Sequence, residues 1–122
     1  MMPTMTNAVT WFEIGTSDPA ATTKFYGDLF GWTFSTDKAY REISVPAEGA
    51  IGGGVAPLDG DRPGYGIFYV QVEDVAATVA AAEAAGGKVL VPPTGDPGGL
   101  TFAHLLDPAG THFGVFSPPA AS

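Results

Sequence analysis

The sequence predicts an α+β fold: two βαβββ modules forming curved mixed sheets around a shared cleft. Three observations predict it. The stretch from Trp11 to Thr22 recurs, 56 residues on, from Ile67 to Thr78. Each copy carries the same punctuation, a short apolar strand, an aspartate, a helical stretch and a closing glycine (Gly31 and Gly87). Three brief apolar stretches follow each helix, too short for further helices and bounded by turn residues. A unit that occurs only twice, each copy about half the chain, is not a solenoid. The 122 residues suit a single domain, with module 1 over about 7–58 and module 2 over about 64–118.

The elements follow in order. Val9 to Gly15 alternates Phe12 and Ile14 against Trp11 and Glu13, the period of a strand. Asp18 then offers a capping carboxylate and Pro19 a first helical residue. Ala21, Phe25 and Leu29 recur at helical spacing, which predicts a stripe lying on the sheet, and Gly31 ends the helix. Trp32–Ser35, Tyr40–Val45 and the glycine-rich Ala50–Ala56 complete module 1 as strands, and Leu58–Gly64 reads as the linker. Module 2 repeats the plan with a strand over Gly66–Val72 and a helix from Asp74 to about Ala85. Strands over Lys88–Val91, Leu100–Leu106 and His112–Phe116 complete it. Asp107–Thr111 (Asp-Pro-Ala-Gly-Thr) predicts a hairpin turn between the last two.

Composition excludes several functions. The chain has no cysteine, which removes thiolate catalysis, disulfides and zinc–sulfur sites. Thirteen acidic residues against five scattered basic ones give a formal charge of −8, which repels nucleic acid and anionic membranes. No apolar run approaches the roughly 20 residues of a membrane span, and no leader pattern is visible, so a cytoplasmic location is expected.

Alternation assigns the sheet faces. With Phe12, Ile14, Phe68, Val70 and Val72 under the helices, Trp11, Glu13, Ile67, Tyr69 and Gln71 face the cleft. In the terminal hairpin Phe113 and Val115 go to the core and His112, Gly114 and Phe116 to the cleft. Counting back through the turn places His104 opposite Gly114. Tyr40 and Tyr69 read equally as pocket walls or as half-exposed sheet tyrosines, whereas Tyr26 and Trp32 read as core.

Four motifs together resemble the vicinal oxygen chelate superfamily, which groups glyoxalase I, bleomycin-resistance proteins and extradiol dioxygenases. They are Phe25-Tyr26-x-x-x-Phe30-Gly31-Trp32, the aspartate caps, Gly86-Gly87-Lys88-Val89 and Asp107-Pro108-x-Gly110-x-x-Phe113-Gly114. The resemblance implies that metal ligands would sit at Trp11 and Ile67, at Gly114, and within Gly52–Gly54. None of these side chains donates to a metal. It also implies an acid–base residue ten positions before the last ligand, which here is His104.

The expectation is therefore a protein of this family with no cofactor and no metal that binds a small aromatic or apolar molecule. Antibiotic sequestration and secondary metabolism are the contexts it suits. Trp11, Tyr40, Tyr69, Gln71, His112, Gly114 and Phe116 would form the ligand site, with glycines at the former ligand positions leaving room. The alternative is a glyoxalase-like lyase or isomerase, or a hydroxylase-like oxidoreductase, with His104 and Glu13 as acid and base. A homodimer is expected, because the family often forms one.

Overall fold

The computed structural model describes residues 5–95 and 99–119 of the chain, which divides into two compact units. One is Trp11–Ile67; the other joins Met1–Thr10 to Phe68–Ser122. The boundary crosses the first strand, β1 (Ala8–Thr16), after Thr10 and the fifth, β5 (Tyr65–Gln71), after Ile67.

In the Trp11–Ile67 unit, β1 is followed by helix α1 (Pro19–Phe30) and strands β2 (Thr33–Phe34), β3 (Arg41–Ser44) and β4 (Gly52–Pro57). The strands lie in the order β2-β3-β4-β1, antiparallel except for the parallel β4–β1 pair, which aligns Trp11 with Gly52 and Glu13 with Gly54. The helix starts where the sequence places it. The Asp18 carboxylate accepts the Ala21 N–H at 3.1 Å and Pro19 occupies the first turn. Gly31, in the left-handed region at φ 75°, ends it by donating its N–H to the Gly27 carbonyl at 2.9 Å.

The rotation of α1 differs from the expected one. Phe25 and Leu29 are 59% and 57% exposed and no residue of the helix is fully buried, so the Ala21–Phe25–Leu29 stripe points away from the sheet. The inward face is Thr22, Thr23, Tyr26 and Gly27. Thr22 Oγ1 donates to Thr16 Oγ1 at 2.8 Å, and Arg41 Nη1 donates to Thr23 Oγ1 at 3.1 Å. Tyr26 stacks on Trp32 with ring centroids 5.4 Å apart. Hydroxyl partners supplied by β1 and β3, together with one stacked ring, orient the helix against its hydrophobic periodicity. Ile43 and Val55 are buried, with the Phe12 ring lying across Gly53 and against Trp32.

The second unit holds the rest of β5, helix α2 (Val75–Ala84), and strands β6 (Lys88–Gly95), β7 (Thr101–Leu106) and β8 (His112–Ser117), ordered β5-β8-β7-β6. Here the helix meets its sheet through two valines one turn apart. Val75 and Val79 bury against Val72, Ala103, Leu105 and Val115, with Ala82 beside them. Each large aliphatic side chain so buried contributes about 1.5–3 kcal/mol.

The closing residue of α2 is Gly86, at φ 98°, not Gly87. Gly86 N–H bonds Glu83 O at 3.1 Å and Gly87 N–H bonds Ala82 O at 2.8 Å, the paired bonds of a Schellman motif. α2 is two residues shorter than α1, 10 against 12, so the repeat loses register at its end. On β5 the helix-side core stops at Val70. Phe68, expected in that core, stacks on Phe113 at 6.1 Å and stays 45% exposed.

The β7–β8 hairpin forms as predicted. Asp107 Oδ1 accepts the N–H groups of Ala109 and Thr111 at 2.8 and 3.0 Å, and Gly110 takes a positive φ. These backbone donors, Thr111 foremost, hold the Asp107 carboxyl below its ordinary pKa. On the far side of β7, β6 runs to Gly95 and its register shifts around Pro92 and Pro93, which have no N–H for the ladder.

Candidate functional site

Strand alternation sends Trp11, Glu13 and Gly15 of β1 to the face opposite α1, with Gly52 and Gly54 of β4 beside them. A carboxylate among aromatic rings results. Glu13 is 5% exposed; its Oε1 accepts the Tyr40 hydroxyl at 3.0 Å and its Oε2 the Tyr65 hydroxyl at 2.6 Å. The Trp11 indole N–H donates to the Tyr40 oxygen at 3.0 Å, so Trp11, Tyr40, Glu13 and Tyr65 form one chain of bonds. A buried carboxylate is costly unless its oxygens are bonded, and the two phenols meet that need. Burial first, then the Glu13 charge, pushes the Tyr40 hydroxyl above its ordinary pKa. Burial first, then the bond to Glu13, does the same to Tyr65. Both remain hydroxyl donors far into the alkaline range.

Glycines make this arrangement possible. The Trp11 ring lies on Gly52, where a Cβ would stand 3.1 Å from it. A Cβ on Gly54 would land on the Tyr40 ring, and one on Gly15 on the Tyr65 ring. The glycines in β4 therefore do not leave the open volume expected of them; aromatic rings fill it.

The second unit carries the other polar chain. Gly114 on β8 pairs with Tyr69 on β5 and with His104 on β7, so it separates the two side chains by two strand spacings, about 9.5 Å. The Tyr69 ring leans across Gly114, into space a Cβ would occupy, and its hydroxyl reaches His104 Nε2 at 2.6 Å. His104 Nδ1 meets His112 Nε2 at 2.8 Å. Tyr69 and His104 are buried, at 4% and 6% exposure, whereas His112 is half-buried.

A neutral imidazole carries one ring proton, which orders this chain. In one direction Tyr69 donates to His104 and His104 donates to His112; in the other, both bonds reverse. Moving the Tyr69 proton to Nε2 while the Nδ1 proton passes to His112 leaves His104 neutral and carries positive charge to the half-buried ring. A hydroxyl buried in apolar surroundings is thereby coupled to a base nearer the surface.

The structure distributes the expected site residues as follows. Trp11, Tyr40 and Glu13 join, and Tyr69, His104, His112 and Gly114 join, with Phe116 edge-on to Tyr69 at 6.0 Å. Gln71 belongs to neither chain; its side-chain oxygen accepts the Thr10 hydroxyl at 3.1 Å. Of the residues expected as an acid–base pair, Glu13 accepts from Tyr40 and Tyr65, and His104 bonds Tyr69 and His112. Tyr65 was not anticipated. Its signal is the alternation Tyr65-Ile67-Tyr69-Gln71, visible once the strand starts one residue earlier than Gly66. A depression of about 430 Å³ opens in the first unit beside Gly15 and Tyr65, its other walls being Ile14, Thr16, Thr22, Tyr26, Gly64 and Gly66. It holds no paired acid and base.

The metal that the family resemblance implies does not fit these residues. Its ligand positions hold an indole engaged with Tyr40, the buried isoleucine Ile67, and glycines overlaid by rings. Among the described residues no three His, Asp or Glu side chains converge as a ligand set. Nor is any helix of the described residues long and apolar enough to cross a membrane.

Comparison with known proteins agrees with this architecture. CFP32 of Mycobacterium tuberculosis, named as a glyoxylase, is 33% identical over 118 residues, covering 93% of this chain and 45% of its own. The anthracycline biosynthesis protein DnrV of Streptomyces peucetius is 31% identical over 129 residues, covering 89% of this chain and 46% of its own. The chain thus spans about half the length of the curated relatives it matches. Methylmalonyl-CoA epimerase from Mycobacterium tuberculosis shares the fold, with a TM-score of 0.64 at 18% identity over 97% of this chain and 93% of the other. Residues 8–115 match the family model, and the chain belongs to the Glyoxalase/Bleomycin resistance protein/Dioxygenase superfamily.

Proposed function

We propose that this chain is a metal-independent member of its superfamily that binds a small organic molecule, aromatic or apolar in its main body. One observation carries the reading: positions that would hold metal ligands are glycines with aromatic rings laid on them, or apolar residues. Flat rings supported by backbone present stacking surface with little rotamer entropy to lose on binding. The likeness to an anthracycline biosynthesis protein supports a polycyclic aromatic ligand class and a setting in secondary metabolism. Thermal-shift measurements with planar aromatic metabolites in the presence of chelator test it. Stabilisation by such compounds is expected. No response to any of them, with clear stabilisation by a divalent metal alone, overturns the reading.

The exposed Phe25 and Leu29 on α1 support a homodimer as the working form, since paired apolar stripes would leave water together. A second reading, an acid–base enzyme, is favoured by the Tyr69–His104–His112 chain. In it His104 acts with Tyr69 and His112, to which it is hydrogen-bonded. Deuterium exchange at the α-carbon of simple ketone and 1,3-dicarbonyl probes, followed by NMR in chelator, checks it. Exchange that is catalysed and disappears in His104→Ala establishes the enzyme; absence of exchange leaves binding as the function.

A further inference from the structure

The depression beside Gly15 and Tyr65 lies wholly within Trp11–Ile67 and owes its room to one glycine. Ile14 and Thr16 line it from the α1 face of β1, and Thr22 and Tyr26 line it from the inward face of α1. The alternation that sends Tyr65 and Ile67 to the other side of β5 puts Gly66 on that same face. A Cβ on Gly66 would meet nothing within 4 Å, whereas one on Gly15 or Gly54 would land on a ring. The space left open is about 430 Å³, within the roughly 300–1,000 Å³ usual for small-molecule sites. Its walls are set in advance. Tyr26 packs edge-on to Phe25 at 5.2 Å and lies within 10° of parallel to Trp32. Thr16 Oγ1 accepts both the Asp18 N–H at 3.0 Å and the Thr22 hydroxyl at 2.8 Å. The threonine pair therefore keeps one hydroxyl proton with no acceptor among the described residues, and the Tyr26 hydroxyl has no hydrogen-bond partner among them either. No residue of the lining is charged.

We propose that this depression seats the ligand, and that the ligand is a neutral compound carrying an acceptor oxygen, such as a ketone, on an aromatic or apolar body. The inference rests on the small-molecule reading above and names the site and the charge class of that ligand. An ion entering here would give up water to a wall that holds no counter-charge, which is costly. A carbonyl oxygen has lone pairs for the hydroxyl protons of the lining and brings no donor of its own to satisfy. Ile14 and the Tyr26 ring meet the body of the molecule, and a ring already held by its neighbours loses little freedom on binding. The face that carries Glu13 offers no such room, because rings lie on its glycines.

The test uses the whole chain and three probes of one shape: acetophenone, ethylbenzene, and 1-phenylethylamine, an ammonium at neutral pH. NMR titration should find acetophenone bound about fivefold more tightly than ethylbenzene, the worth of one hydrogen bond. It should also bind more tightly than the ammonium, despite the chain's formal charge of −8. The amide resonances of Gly64 and Gly66 should move while those of Gly52, Gly54 and Gly114 hold still. Gly66→Leu fills the depression from a position with room for a side chain, and should weaken acetophenone about tenfold without lowering Tm. Should that variant fail to fold, the probe order and the resonance shifts still decide. Ethylbenzene or the ammonium binding as tightly as the ketone overturns the proposal, as does acetophenone binding that Gly66→Leu leaves unchanged. So does failure of acetophenone to bind while compounds of the thermal-shift series stabilise the protein. In each of these cases small-molecule binding stands. Failure of all three probes, and of every compound in that series, overturns both readings.

Discussion

Gly114 governs more of this molecule than its size indicates. It stands between Tyr69 and His104 in the ladder, and only a hydrogen at its Cα lets the tyrosine ring cross to the imidazole. Gly114→Ala forces a methyl group into that ring. Overpacking of this kind costs typically about 1–3 kcal/mol, and urea denaturation of the variant should register a loss in that range. The same variant should release the hydroxyl from His104, which NMR of the histidine ring nitrogens would detect as a changed tautomer balance. Tyr40 and Tyr65 yield a second prediction at this scale. Both have folded-state pKa values above the ordinary 10.0, so the stabilisation they reflect is fully present below pH 10 and is lost as pH rises through the folded values. Spectrophotometric titration should find at least two of the four tyrosines still protonated where free phenols have ionised, and alkaline unfolding should release them together.

At the scale of elements, the two helices of the repeat solve one problem differently. α2 buries its two valines, Val75 and Val79, whereas α1 turns Phe25 and Leu29 outward and meets its sheet through hydroxyls and Tyr26. Their starts are alike, each with an aspartate whose carboxylate accepts the N–H three residues on. The terminal hairpin carries the remaining titratable anchor. Asp107 has a depressed folded pKa, so its stabilisation is present above the unfolded value of about 3.8 and vanishes as pH falls through the folded one. Asp107→Ala should therefore lower stability at neutral pH and flatten the acid limb of the stability profile. Chemical denaturation between pH 7 and pH 2 measures both effects.

For the molecule as a whole, the exposed apolar stripe of α1 carries the prediction. A homodimer that covers Phe25 and Leu29 should sediment at twice the chain mass of 12.5 kDa, and Leu29→Glu should shift it to a single chain. Light scattering coupled to size exclusion reads the mass directly. A monomeric wild type overturns the homodimer. The curated relatives, about twice the length of this chain, supply a related comparison. If their additional length covers α1, the residues matching Phe25 and Leu29 should be protected from hydrogen exchange and oxidative labelling in those proteins.

What the sequence determined by itself was every feature encoded by neighbours along the chain. The aspartate caps, the Gly31 stop, the Asp107 turn and the period-two alternation depend on residues within a few positions of one another. The same periodicity sufficed to send Glu13, Tyr69 and His104 to their strand faces. Tertiary structure alone decided what covers those faces. A glycine at 52, 54 or 114 reads as empty volume in one dimension, and only the folded chain brings Trp11, Tyr40 and Tyr69 to lie on it. The rotation of α1 was hidden for the same reason, because Thr16 and Arg41 satisfy its threonines from other elements and outweigh the pull of its own apolar stripe. Local periodicity sets the phase of a side chain within its element; the partner that meets it comes from a distant part of the chain, where no spacing rule reaches.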